Sequence, residues 1–366
     1  MRRILPPSLF LFTLFLGGSL LLTGCGDELL PPEDSGETEK KSFFIVDRED
    51  RRAVGIIPVD EEGNAGERIS FDDRLDAPPS ATGLVAIVES RKVRIVDIES
   101  HNTVGIVAAL ENEGISQAAI SPDGSRIAFT AITPVADTSQ RYLHLIDVDG
   151  NNRVVVDVGS GFQQHLRFSP DGSQVAFFDG LEDQDKIVFG RGGEWDDIGI
   201  LYVVSAEDGS KKEVARSTHL GADGAVQIEW SPDGSRIIYQ DYADSETTWI
   251  VDVETAEKTL LIDGPSLAEW SPDGSRIILV GEEGMFLYDA NDVSSHRSVP
   301  VDLPLYYPHW IDNDRIIGYQ VDPALADFDV DQNQLDLVMV DVETGETEVL
   351  LADQDVWFIF DNPVAH

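Results

Sequence analysis

Few residues in this 366-residue chain have both the types and the spacing that chemistry requires. Along ADFDVDQNQLD, Asp327, Asp329, Asp331 and Asn333 stand at alternate positions and Asp336 follows. Alternating carboxylate and amide oxygens suit a hard cation, so Ca²⁺ is the one cofactor the sequence points to. The match is incomplete, because an EF-type loop carries Gly where Gln332 stands and ends on a bidentate Glu, and this loop has neither. In a chain with 68 acidic residues, a solvated acidic loop is the simpler reading. Nucleophilic chemistry has no better footing: no G-x-S-x-G elbow occurs, and Cys25 is the only cysteine.

What would hold such residues in place is a repeat. SPDGSRIAF begins at Ser121, with near-copies at Ser169 (SPDGSQVAF), Ser231 (SPDGSRIIY) and Ser271 (SPDGSRIIL). Ser-Pro-Asp-Gly lists the residues of a tight turn in order: Pro presets φ, Asp accepts from nearby backbone N–H groups, and Gly takes a left-handed φ. An alternating run such as AVQIEW leads in and a β-branched run such as RIAFTAI leads out, so each copy joins two antiparallel strands. The starts lie 48, 62 and 40 residues apart. A four-stranded propeller blade needs roughly 40–50 residues, with insertions where the gap is longer. Weaker copies at Pro79 and around Trp310 bring the corners to six. A second phrase, strand, acidic turn, strand, recurs between corners, as in LHLIDVDGNNRVVVDV from Leu143 and LVMVDVETGETEVLL from Leu337.

With the strand before a corner called A, the one after it B, and the second pair C and D, the chain repeats A-B-C-D. SFFIVD, AVGIIPVD and ERISFD near the N-terminus read as B, C and D without an A, and VWFIF (356–360) reads as an A without followers. The predicted fold is therefore all-β: a seven-bladed β-propeller of four-stranded blades over residues 42–366, in which the C-terminal strand closes the N-terminal blade. Six blades is the alternative count.

The SPDG-strand motif resembles the WD40-like, or PD40, repeat of TolB-like β-propellers, and it covers nearly all of the chain after about residue 42. The resemblance implies the fold far more than the function, since propellers of this kind serve as binding platforms, as accessory domains of serine peptidases and as lyases. Neither an α/β domain ahead of the propeller nor a peptidase domain is evident here, so TolB's own partners do not carry over.

A propeller offers two places for a site. Aligning the A strands on their corners puts Ile120, Phe168, Trp230, Trp270 and Trp310 immediately before the turn, as packing between blades. The second position back holds Ala119, Arg167, Glu229, Glu269 and His309, and the fourth holds Gln117, His165, Gln227, Leu267 and Tyr307. Positions two and four share a face by period-two alternation, and innermost strands turn exposed groups toward the axis. Gln117, His165, Gln227 and Tyr307 are then expected at one mouth of a central channel, with Arg167, Glu229, Glu269 and His309 deeper. A solvated lining is the plainer account. Some propellers of the repeat family are metal-dependent oligosaccharide lyases with several channel histidines and a glutamine, which makes a lyase-like enzyme the alternative. Only His165 and His309 of the seven histidines fall on A strands, so no enzyme is expected.

The second place is the face bearing B–C connections, where long insertions gather at 131–141, 179–199 and 321–336. In DGLEDQDKIVFGRGGEWDDIG, Phe189, Arg191 and Trp195 are the candidate partner-binding residues, with a loop folded on its own blade as the alternative.

Arg2 and Arg3, an apolar stretch and then Leu22-Thr23-Gly24-Cys25 resemble a signal peptide ending in a bacterial lipobox. Residues 1–24 are expected to be removed, Cys25 to be lipidated, and acidic residues 25–41 to form a flexible tether. Gly26 after the cysteine leans toward the outer rather than the inner membrane, facing the periplasm. The formal charge of −42 excludes nucleic acid and anionic headgroups as ligands. Its spread over every blade reads as salt adaptation rather than one cationic-partner patch. The expected partner of this monomer is an envelope protein or a cell-wall ligand.

Overall fold

The computed structural model describes residues 42–49, 52–60, 69–70, 79–80, 82–135, 138–159, 162–181, 198–217, 228–241, 247–264, 266–281, 283–302, 305–321, 335–354 and 356–361. Within them lie 27 strands and no helix, sorted into seven antiparallel sheets. None of the described residues forms a helix long and apolar enough to cross a membrane.

Blade 1 contains β1 (Ser42–Glu49), β2 (Arg52–Asp60) and β3 (Ile69–Ser70). Blade 2 shows three strands, β4 (Leu84–Glu89), β5 (Lys92–Asp97) and β6 (Thr103–Ala108). Blade 3 runs through β7 (Gly114–Ile120), β8 (Arg126–Val135), β9 (Thr138–Asp147) and β10 (Val154–Gly159). Blade 4 has β11 (Phe162–Phe168), β12 (Gln174–Leu181), β13 (Ile198–Ser205) and β14 (Lys211–Ser217). In blade 5 these are β15 (Ile228–Trp230), β16 (Arg236–Asp241), β17 (Thr247–Asp252) and β18 (Lys258–Asp263). Blade 6 follows with β19 (Ser266–Trp270), β20 (Arg276–Gly281), β21 (Gly284–Asp289) and β22 (Asp292–Ser298). Blade 7 has β23 (Tyr306–Trp310), β24 (Arg315–Val321), β25 (Leu335–Asp341) and β26 (Thr347–Gln354). The last strand, β27 (Val356–Asp361), pairs antiparallel with β1 in the register Phe44↔Phe360. Blade 1 is thus assembled from both ends of the sequence, and the fold is a seven-bladed β-propeller closed by its C-terminal strand.

The corners follow the turn chemistry. In the first strict copy Ser121 N donates to Arg126 O at 2.9 Å and Gly124 N to Ser121 O at 2.8 Å, with Gly124 at φ 70°. Ser121 Oγ donates to Asp123 Oδ1 and also accepts from Arg126 N, so the turn is fastened by its own side chains. One further bond recurs in every blade from 2 to 7: the start of the C–D turn donates back to the A–B corner. Examples are Val148 N to Ser125 O and Ala290 N to Ser275 O, both 2.9 Å. These bonds put both kinds of turn on one face of the molecule, which leaves the B–C connections on the other.

The core lies between blades rather than within any one. Each large apolar cluster joins two consecutive blades, as where Phe178 and Leu201 of blade 4 meet Trp230 and Ile237 of blade 5. The B strands, packed on both faces, are the most buried; Ile237, Ile238 and Tyr239 are fully enclosed. Neighbouring A strands β7, β11, β15, β19, β23 and β27 touch one another in that order, so the blades succeed each other as they do in sequence.

Candidate functional site

The residues expected at the axis stand near the ends of the A strands, next to the one large residue that each corner holds between blades. Trp230, Trp270 and Trp310 are buried, as packing between blades requires. Their indoles also reach back across the blade boundary. Trp230 Nε1 donates to Arg167 O at 3.3 Å and Trp310 Nε1 to Glu269 O at 3.2 Å. Each carbonyl belongs to the second-position residue of the preceding blade.

The side chains at that position pair in the same direction. Glu269 Oε1 of blade 6 lies 2.6 Å from His309 Nδ1 of blade 7, and Glu269 Oε2 accepts from Trp310 N at 3.1 Å. The pair is largely shielded, 14% and 17% exposed. Burial lowers the proton affinity of the Arg167 guanidinium in blade 4, and the Glu229 carboxylate of blade 5 opposes that shift. Arg167 Nη1 also donates to Leu166 O at 3.1 Å. Of the four residues expected deeper, Glu269 and His309 therefore meet across the boundary of blades 6 and 7, and Glu229 acts electrostatically on Arg167. The Glu269–His309 contact ties blade 6 to blade 7.

Bulges interrupt three of the A strands near the residues expected at the mouth. In β11 the register against β12 shifts between Gln164 and Arg167, and His165 within the shift has φ 59°. In β23 it shifts between Tyr306 and His309, and Tyr307 has φ 51°. A third shift in β7 lies between Ile115 and Gln117. An extra residue breaks strict alternation, so the period-two argument does not relate His165 to Arg167 or Tyr307 to His309. Gln117 stands opposite Thr130, and Gln227 lies outside the described residues.

On the opposite face from the corners, the B–C connections of blades 4 and 7 outgrow the rest, and blade 3 lengthens its hairpin instead. The β8–β9 ladder continues to Val135↔Thr138, β12–β13 to Leu181↔Ile198 and β24–β25 to Val321↔Leu335. The β20–β21 hairpin, by contrast, turns at once after Gly281↔Gly284. The stretch 131–141 expected as an inserted loop is mostly paired strand, because Ile132–Pro134 and Ser139–Arg141 extend the hairpin. Phe189, Arg191 and Trp195 lie outside the described residues, as do Cys25, Asp327, Asp329, Asp331 and Asn333. Asp336 is a ladder residue of β25 opposite Gln320, a place set by strand pairing rather than by the loop. The described residues contain no group of three or more His, Cys, Asp or Glu placed to hold a metal ion. An open cleft of about 620 Å³ on the corner face is lined by Ser125, Arg126, Asp147, Asp149 and Glu207, with Arg126 Nε 3.1 Å from Asp147.

One polar cluster escaped the sequence. His144 in β9 is fully buried, stacks on Phe129 at 4.7 Å, and lies 2.9 Å from Arg153 Nη1 and 3.3 Å from Glu113 Oε2. Burial first, then Arg153, pushes the imidazole below the ordinary histidine range, and Glu113 only partly opposes this. The neutral ring then accepts from Arg153 at Nδ1 and presents its N–H toward Glu113. Its partners lie 31 residues before and 9 after it in the chain, so no ligand spacing marks them.

Sheet order and turns together define a β-propeller whose A and B strands are joined within blades 3 to 7 by short corners. No protein-family model matches the chain, and no curated protein matches it in sequence. Among solved structures it is similar to an oligogalacturonate lyase in complex with manganese, at 15% identity over 73% of this chain and 79% of that one, with TM-score 0.49. It is similar also to a putative TolB from Agrobacterium tumefaciens, at 18% identity over 75% of this chain and 100% of that one, with TM-score 0.43. An acylaminoacyl peptidase from Pyrococcus horikoshii matches at 15% identity over 76% of this chain and 46% of that one, with TM-score 0.49. These likenesses concern the fold alone.

Proposed function

We propose that the protein is a lipid-anchored lipoprotein of the cell envelope whose propeller acts as a binding scaffold for an envelope protein or cell-wall ligand. One observation carries the reading: blades 4 and 7 have long B–C connections and blade 3 an extended β8–β9 hairpin on one face, while the opposite face keeps uniform corners. In repeat architectures, insertions collected on one face commonly mark the binding face. The mutual pairing of Glu269 with His309 supports a structural use of the axial residues over a catalytic one. Anchoring rests on the lipobox-like Leu22-Thr23-Gly24-Cys25, and more than one acyl chain makes such an anchor stable.

The test is cross-linked recovery of partners from envelope membranes at native salt, followed by two pairs of variants. Trp195→Ala and Arg191→Ala are expected to weaken partner recovery by about tenfold or more, since aromatic and Arg side chains dominate hot spots. His165→Ala and Gln227→Ala are expected to leave it unchanged. Loss with the second pair alone would move the site to the axis and favour a lyase-like enzyme. Fractionation with acyl labelling tests the anchor: Cys25→Ser is expected to lose the label, and an unlabelled, soluble wild type would overturn it.

A further inference from the structure

Among the described residues, β6 is the outer strand of blade 2 and is bonded on one side only, to β5. Exposed strand edges invite pairing with another chain, and proteins commonly guard them with charge. The outer strands of blades 3 to 7 follow this, with Asp157 in β10, Lys212 in β14, Lys258 in β18, Arg297 in β22 and Glu348 in β26. β6, TVGIVA, carries no charged residue, and neither does the run from Asn102 to Leu110 around it. Its apolar side chains are not all spent on the core. Val107 is buried among residues of blade 3, but Val104, Ile106 and Leu110 are 52%, 55% and 47% exposed.

We propose that β6 is a strand-addition site for an extended segment of a partner polypeptide, apolar at alternate positions and flanked by Lys or Arg. The unpaired edge offers main-chain hydrogen bonds, and Val104 and Ile106 offer contacts for alternate side chains. Arg153 Nη2 already donates to the Ala108 carbonyl at 2.5 Å, so the added strand pairs along 103–107. Charge selects the partner. Exposed Glu99 and Glu111 stand beyond either end of the uncharged run, in a molecule of formal charge −42. The basic side chains nearby are engaged within the protein: Lys92 and Arg94 each lie 2.6 Å from Glu89, and Arg91 donates to the carbonyls of Glu113 at 3.1 Å and Leu110 at 3.2 Å. A second copy would bring like charges together at both ends, which makes it the wrong occupant. This rim strand is separate from the insertion-bearing face, so the inference does not depend on the scaffold reading.

A fluorescein-labelled synthetic peptide, Lys-Lys-Thr-Val-Thr-Val-Thr-Val-Thr-Lys-Lys, tests it against the full-length protein by anisotropy, with amide hydrogen exchange as the second readout. The expected result is saturable binding that slows exchange in Thr103–Ala108 and weakens by about tenfold or more in a Val104→Thr, Ile106→Thr variant. These exposed substitutions keep β-branched side chains, so an unchanged melt identifies a folded variant. A Glu-flanked version of the peptide is expected to bind at least about tenfold more weakly at low salt. Equal binding to wild type and variant, or slowed exchange confined to other strands, would overturn the proposal. So would a concentration-dependent dimer lost in the variant without peptide binding, which would assign β6 to a second copy.

Discussion

At the scale of single residues, the corner aspartates act as internal clamps rather than as ligands. Asp233 Oδ1 accepts from Ser231 Oγ at 2.7 Å, Ser235 N at 3.0 Å and Ser235 Oγ at 2.8 Å. These bonds, that from Ser231 foremost, hold its carboxyl at about 2 against an ordinary value of 3.8. A carboxylate with a depressed value favours the folded state above the unfolded value, and the benefit fades as pH falls through the folded one. Asp233 is therefore expected to contribute fully above pH 3.8 and to lose that contribution by about pH 2. Asp233→Asn should lower stability at neutral pH by about 1 kcal/mol, the value of a lost charge-assisted turn bond. Its melting temperature should then fall less steeply than that of the wild type across the acid window. Parallel melts of both proteins from neutral to acid pH check this, and identical slopes would assign the depression no role in folding. This role was legible beforehand, since Ser-Pro-Asp-Gly specifies its own bonds locally.

At the scale of elements, arginine at the start of a B strand fastens one blade to the next. The Arg236 guanidinium sits 4.5 Å above the Trp270 ring and donates through Nη1 to Ala290 O at 2.5 Å. Arg276 repeats the contact on Trp310 at 5.6 Å and adds Asp314 and Glu343, both at 3.1 Å. Arg126 reaches the Ala206 carbonyl of blade 4 in the same way. In blade 4 the position is Gln174, so the clamp is absent from that one strict corner. Arg236→Ala is expected to lower the unfolding free energy by about 1–2 kcal/mol, the scale of a shielded cation–π contact with a bond to a carbonyl. Arg236→Lys should restore only part of it, because an ammonium cannot stack as the planar guanidinium does. Denaturant titration of the three proteins measures the differences, and a neutral Arg236→Ala would reduce the contact to coincidence. The recurrence of Arg after SPDGS is plain in the sequence. Its target is not, because Trp270 and Ala290 belong to the following blade.

For the whole molecule, stability depends on β27. Removing it strips the inner partner from β1 and the contact that β27 makes with β23 of blade 7. A ring opened at one seam exposes a strand edge and apolar surface together. Truncation after Asp355 is expected to abolish a cooperative thermal transition, followed by circular dichroism or calorimetry. A truncated chain that melts like the full length would contradict closure as the source of cooperativity. The same experiment in the presence of added 356–366 peptide should restore the transition in part, since the missing strand is then supplied in trans.

The sequence by itself determined the corners, the strand order and the closure, because each depends on short-range chemistry or on a repeat period, and the seven sheets decided between the two blade counts it allowed. A Pro-Asp-Gly turn needs no distant partner to form, and six corners at blade spacing, with unpaired strands left at both ends of the run, point to one architecture. Only the tertiary structure decided what the axial and buried polar residues touch. Glu269 and His309 sit on strands of different blades, and Glu113, His144 and Arg153 meet across a blade boundary and a hairpin. The bulges were also beyond reach, since neither His165 nor Tyr307 is a residue type that announces a positive φ. Alternation, read along one strand, assumes an unbroken ladder; the neighbouring strand's register decides whether it is unbroken.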